Sequence, residues 1–113
     1  MEREVVENVL LSMGTPIRLK GFKYVVDSIL LLDKPEWSNP KWTALYGCVG
    51  TLNNVNYSTV ESAIRTVFRS TRDRNCDYDV INHYIGFDCD SSSSLMRLYL
   101  TMKKETRPQA EDT

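Results

Sequence analysis

The chain has 113 residues, 42% of them hydrophobic and 26% charged, with a formal net charge of −1. That composition excludes a disordered chain and fits one domain large enough to bury a core of its own. No stretch approaches the roughly 18–20 apolar residues of a membrane span, and the acidic start MEREVVENVL is unlike a secretory signal.

Val5, Val6, Val9, Leu10 and Met13 lie on one face of a first helix, which Gly14 and Pro16 end. Phe22, Val25, Val26 and Ile29 stripe a second helix whose end reads ILLL, so it is expected to be the most buried. Asp33 to Pro40 is a linker with two prolines, and Trp37 and Trp42 are expected to anchor it on the core. Leu45, Tyr46, Val49 and Leu52 suggest a third helix, with a start near Gly47 as the alternative because glycine costs about 1 kcal/mol inside a helix. Cys48 reads as a small buried hydrophobe.

Asn53, Asn54 and Asn56 mark a turn. Ser58 is then a candidate N-cap with Glu61 three residues on, a capping box. Val60, Ala63, Ile64, Val67 and Phe68 form the apolar stripe of the helix it opens, and Thr59, Ser62, Arg65, Thr66, Arg69 and Arg72 form its opposite face. A short helix over Asp79–Ile85 closes at Gly86, and Ser91–Ser94 reads as a loop that caps the last helix, striped by Leu95, Leu98, Tyr99 and Met102. Strict alternation nowhere persists over six residues, so the expected class is all-α with about six helices. Residues 1–105 are expected to form a single domain and residues 106–113 a flexible polar tail.

Charge is organised along the chain. Arg65, Arg69, Arg72 and Arg74 against Glu61 and Asp73 give +2 over residues 57–74, whereas Asp77, Asp79, Asp88 and Asp90 give −4 over residues 75–90. The three cysteines include no C-x-x-C, which excludes a disulfide framework and fits a reducing cytoplasm. Cys76, His83 and Cys89 lack the paired short spacing of a structural zinc site, so no metal is expected. No nucleophile elbow, phosphate loop or H-E-x-x-H is present, so neither catalysis nor a cofactor is expected.

Gly47 to Arg65 has the outline of a helix-turn-helix, unrelated to winged-helix forms. Gly50 supplies the small residue where two helices cross, and Asn54 tolerates the left-handed turn between them. Val60 and Ile64 bury the second helix, leaving Thr59, Ser62, Arg65 and Arg69 facing outward.

Three segments resemble the C-terminal effector domain of the sporulation response regulator, the stage 0 sporulation protein A family. They are Gly14-Thr15-Pro16-Ile17-Arg18-Leu19-Lys20-Gly21, Leu45-Tyr46 with Val49-Gly50, and Ser58-Thr59-Val60-Glu61-Ser62-Ala63-Ile64-Arg65, with Gly86-Phe87 as a further match. The resemblance covers about Val9 to Lys104. It implies a six-helix fold that binds double-stranded operator boxes in promoters, often as tandem copies, and contacts RNA polymerase or another regulator. The family's phosphorylatable receiver domain is not matched here, so the expectation is a stand-alone effector-like domain or a piece of a longer protein.

The departures from the family pattern are as informative. Thr59 and Ser62 stand where the family's recognition helix carries arginines, Thr51 and Leu52 replace a lysine pair, and Asn53 occupies an aromatic core position for which Leu52 is expected to substitute. The resulting expectation is a recognition helix over about residues 58–72 in the major groove. Thr59, Glu61 and Ser62 would face bases, and Ser58, Arg65, Arg69 and Arg72 would face phosphates. Arg18, Lys20 and Lys23 are candidates for further backbone contacts. The alternative is a protein-interaction module of the same fold with a degenerate DNA face, motivated by the charge of −1 and the missing arginines.

Overall fold

Six α-helices succeed one another in a computed structural model that describes residues 1–74, 77–87 and 90–106, and no strand occurs among these residues. They are α1 (Arg3–Ser12), α2 (Lys20–Leu32), α3 (Trp42–Asn53), α4 (Tyr57–Arg74), α5 (Tyr78–Tyr84) and α6 (Ser91–Thr106). The all-α class with six helices is as the sequence led one to expect.

α1 buries Val6 and Leu10, with Met13 beneath its end. It stops in a Schellman turn. Gly14 adopts φ +78°, its N–H donates to Leu11 O at 3.0 Å, and the Thr15 N–H donates to Leu10 O at 3.0 Å. α2 then runs through the middle of the core, with ten of its thirteen residues buried. It crosses α4 at Gly21, where a methyl group would collide with the Ala63 carbonyl and the Val67 side chain. The inner stripe of α4, Val60, Ile64, Val67 and Phe68, closes this crossing.

The linker is more ordered than its prolines suggest. Pro35–Trp37 forms a 3-10 turn, and Trp37 and Trp42 both rest half-buried against the core. α3 begins at Trp42 and not near Gly47. Trp42 packs its ring 5.9 Å from that of Tyr46, and Leu45, Tyr46 and Val49 bury the helix firmly enough to carry two interior glycines. Cys48 is half-buried against the same core.

Three local expectations give way. Ser58 is not the cap of α4. The helix starts one residue earlier, and Asn56 caps it by accepting from the Thr59 N–H at 2.9 Å and from Ser58 Oγ at 2.8 Å. Leu52 does not replace the family's core aromatic, because it is 64% exposed. Asn53 instead turns inward, donating to Asp27 Oδ2 and to Val49 O, both at 2.9 Å. Ser91–Ser94 is the first turn of α6 rather than a loop, and Asp90 before it accepts from Ser92 Oγ at 2.8 Å and Ser93 Oγ at 3.0 Å.

Asp27 is the one buried carboxylate among the described residues. Arg3, Lys23 Nζ at 3.0 Å and Asn53 surround it, joining α1, α2 and the end of α3. Burial alone would push its carboxyl up, but the hydrogen bonds from Asn53, Arg3 and Lys23 together hold it below the usual carboxylate range. No described helix is long and apolar enough to cross a membrane.

Candidate nucleic-acid interface

α3, the turn Asn54–Asn56 and α4 form a helix-turn-helix. Asn54 takes the left-handed conformation (φ 60°, ψ 40°), and the Val55 N–H donates to Gly50 O at 2.9 Å. Gly50 lies so close under the turn that a methyl group there would strike the Val55 carbonyl. These contacts fix the angle at which α4 leaves the turn. The outer face of α4 is thereby presented to solvent: Ser58, Thr59, Ser62, Arg65 and Arg69 are all exposed. Shallow grooves flank it. One is lined by Gly50, Thr51, Asn54, Val55, Asn56 and Thr59, and the other runs from Ser58 to Arg65 along the helix.

The remaining residues expected on this face are engaged elsewhere. Glu61 is half-buried. Ser91 Oγ donates to its carboxylate at 3.0 Å, and Arg65 sits 3.6 Å from its other oxygen. Because a carboxylate can only accept, the chain of bonds has a fixed direction: Tyr46 Oη donates to Ser91 Oγ at 2.8 Å, and Ser91 donates on to Glu61. Burial pushes the Tyr46 hydroxyl up to about 12, with the nearby Glu61 and Asp90 carboxylates adding to the effect, so it remains a donor.

Arg72 turns away from the outer face. Its Nε donates to Gly86 O at 2.9 Å and its Nη2 to Ser94 Oγ at 2.7 Å, and the guanidinium lies 6.0 Å from the Phe68 ring centre. It fastens α4 to the α5–α6 turn. Lys23 is likewise held, by Asp27 and by Asn53 Oδ1 at 2.6 Å, whereas Arg18 and Lys20 are exposed beside the α2–α4 crossing.

His83 bonds Glu105 at 2.8 Å, and Tyr84 donates to the same carboxylate at 2.9 Å. Cys76 and Cys89 lie outside the described residues. Sequence reasoning missed Asn56 as the cap and Ser91 as the partner of Glu61. The first had a signal, an Asx residue two positions before Ser58. The second had none, because thirty residues separate the partners.

This arrangement of helices has a counterpart among known families. The family model of the sporulation initiation factor Spo0A C-terminal domain matches residues 6–97, from α1 into α6. The chain belongs to this family. Membership places it among DNA-binding, transcription-regulating domains of sporulation. No curated protein and no solved structure matches the chain. Thr59 and Ser62 are exposed, and the first two turns of α4 carry no cation, Arg65 following them in a pair with Glu61.

Proposed function

We propose that the chain binds double-stranded promoter DNA by laying the N-terminal half of α4 in the major groove. The observation that supports this most is the turn itself. Asn54 in the left-handed region and Gly50 under Val55 hold α4 so that a row of exposed hydroxyls, Ser58, Thr59 and Ser62, projects from its leading end. The N-terminal residues of a recognition helix are those that meet base edges. Thr59 and Ser62 face bases, Ser58, Arg65 and Arg69 face phosphates, and Glu61 and Arg72 act as supports rather than contacts. Two copies on tandem boxes would double the contact area.

A second reading is favoured by one feature. Tyr78 and Phe87, 69% and 52% exposed, place their rings 6.0 Å apart beside the exposed Asp77 and Asp79. Such a patch suits a protein partner, RNA polymerase or a regulator, with the DNA face degenerate.

Fluorescence anisotropy against duplex DNA at two salt concentrations separates the two. DNA binding that weakens with salt is expected. Arg65→Ala is expected to weaken it for all sequences and to reduce the salt slope by about one, while Ser62→Arg adds about 1–3 kcal/mol of preference for a guanine. Absence of DNA binding at low salt, with a protein retained in pull-down, overturns the first reading in favour of the second.

A further inference from the structure

We propose that this recognition helix reads thymine, through the 5-methyl group exposed in the major groove, and reads neither guanine nor cytosine. The proposal rests on the DNA-binding reading and names the base class that this surface takes.

Each base calls for a different side-chain chemistry. Guanine is read selectively by arginine or lysine, cytosine by a carboxylate, adenine by an amide, and the thymine methyl by apolar contact, including the methyl of threonine, whereas a hydroxyl both donates and accepts and so bonds any base edge with little selectivity. At the leading end of the helix-turn-helix no cation is available for guanine. Ser58, Thr59 and Ser62 carry hydroxyls, and the first arginine on α4, Arg65, lies two turns in and pairs with Glu61 at 3.6 Å. The one carboxylate that would accept from cytosine is Glu61, and it is already held by Ser91 Oγ at 3.0 Å. Drawing it toward a base would leave the buried Ser91 hydroxyl without its acceptor, a costly exchange.

Beside its hydroxyls this end offers apolar surface. Leu52 and Tyr57 stand on either side of the turn, 64% and 53% exposed, although both are large hydrophobic residues. At the same turn Gly50, Thr51, Asn54, Val55, Asn56 and Thr59 line a shallow groove, to which Val55 and the Thr59 methyl bring apolar surface. A methyl group seated there removes apolar surface from water on both partners. Asn54 lines the same groove, and its amide suits adenine, the other base of the same pair. Asn56 does not compete, since its carbonyl caps α4.

The test compares two sets of duplexes with the full chain: A·T-only duplexes of mixed sequence, and the same duplexes with deoxyuridine replacing thymidine, which removes the methyl and keeps every pairing group. Affinity is expected to fall about fourfold for each contacted methyl, the factor for one buried carbon. Thr59→Ser, which deletes the facing methyl of an exposed residue, is expected to weaken the thymine duplexes by a similar factor and to leave the uracil duplexes unchanged. That pattern separates a direct contact from a change in duplex shape. Equal affinity for thymine and uracil duplexes overturns the proposal while leaving DNA binding intact. Tighter binding to G·C-only duplexes overturns it as well. Failure to bind any duplex at low salt overturns the DNA-binding reading, and this one with it.

Discussion

The two halves of α4 carry similar side chains to different ends. In the N-terminal half, Thr59, Ser62 and Arg65 project from a helix held by its cap and by the turn before it. In the C-terminal half, Arg72 folds back onto carbonyls and a hydroxyl of the α5–α6 connection, and Thr71 donates to Thr15 Oγ1 at 3.1 Å. An arginine on a predicted outer face therefore has no fixed meaning. Its role depends on whether unpaired backbone acceptors lie within reach, and Gly86 supplies one beside Arg72. In the leading half Glu61 is held by Ser91 and Ser58 by Asn56, while the side chains of Thr59 and Ser62 stand exposed beside them.

The largest expected effect tests the anchored half. Arg72→Ala leaves the Gly86 carbonyl and the Ser94 hydroxyl without their charged donor and is expected to cost about 2–3 kcal/mol of unfolding stability. Urea denaturation measures this. At a temperature where the variant remains folded, its DNA affinity and salt slope should match those of the parent chain. A slope reduced by about one would return Arg72 to the phosphate contacts and erase the contrast between the halves.

The contrast also shows what was legible in the sequence. Helical spacing made the buried stripe Val60–Ile64–Val67–Phe68 and the exposure of Thr59 and Ser62 readable, and residue type did so for the left-handed Asn54, whereas the capping box read at Ser58 and Glu61 did not hold. The start of α3 stayed open because intrinsic propensity argues against Gly47 and Gly50, whereas Trp42 and Tyr46 packing decides the matter. The roles of Glu61, Arg72 and Asn53 were unreadable for a different reason. Each is fixed by a partner thirteen to thirty residues away, and nothing in local periodicity reports such a partner.

A smaller effect is expected at the other end of α4. Asn56→Ala removes the acceptor for the Thr59 N–H and should destabilise the chain by about 1 kcal/mol. Unlike Arg72→Ala, it should also weaken DNA binding at temperatures where the fold is intact, since Thr59 and Ser58 both take their positions from that side chain. Asn56→Asp, which keeps the acceptor, should restore stability. Loss of stability without loss of affinity would mean that the turn, and not the cap, orients the leading half.

The subtlest test uses acid, because the leading half leans on a buried carboxylate and the anchored half does not. Asn53, the last residue of α3, is held by Asp27, and Asp27 is held in turn by Arg3 and Lys23. With its folded-state value lowered below the ordinary 3.8, the Asp27 carboxylate contributes stability that is fully present above that ordinary value. The contribution is lost as pH falls through the lower folded value, when protonation removes an acceptor from three donors at once. Stability should thus hold steady from neutral pH to about pH 5 and decline below it. Asp27→Asn should be less stable at neutral pH and flatter in acid. Asp90, at the start of α6, is likewise held below the ordinary carboxylate range by the hydroxyls of Ser92 and Ser93, so the amides must be resolved individually. Hydrogen exchange at about pH 4 and below should open α3 near Asn53 before α6. Simultaneous opening would make the Asp27 cluster a general staple of the fold, rather than the particular support of the turn that presents Thr59.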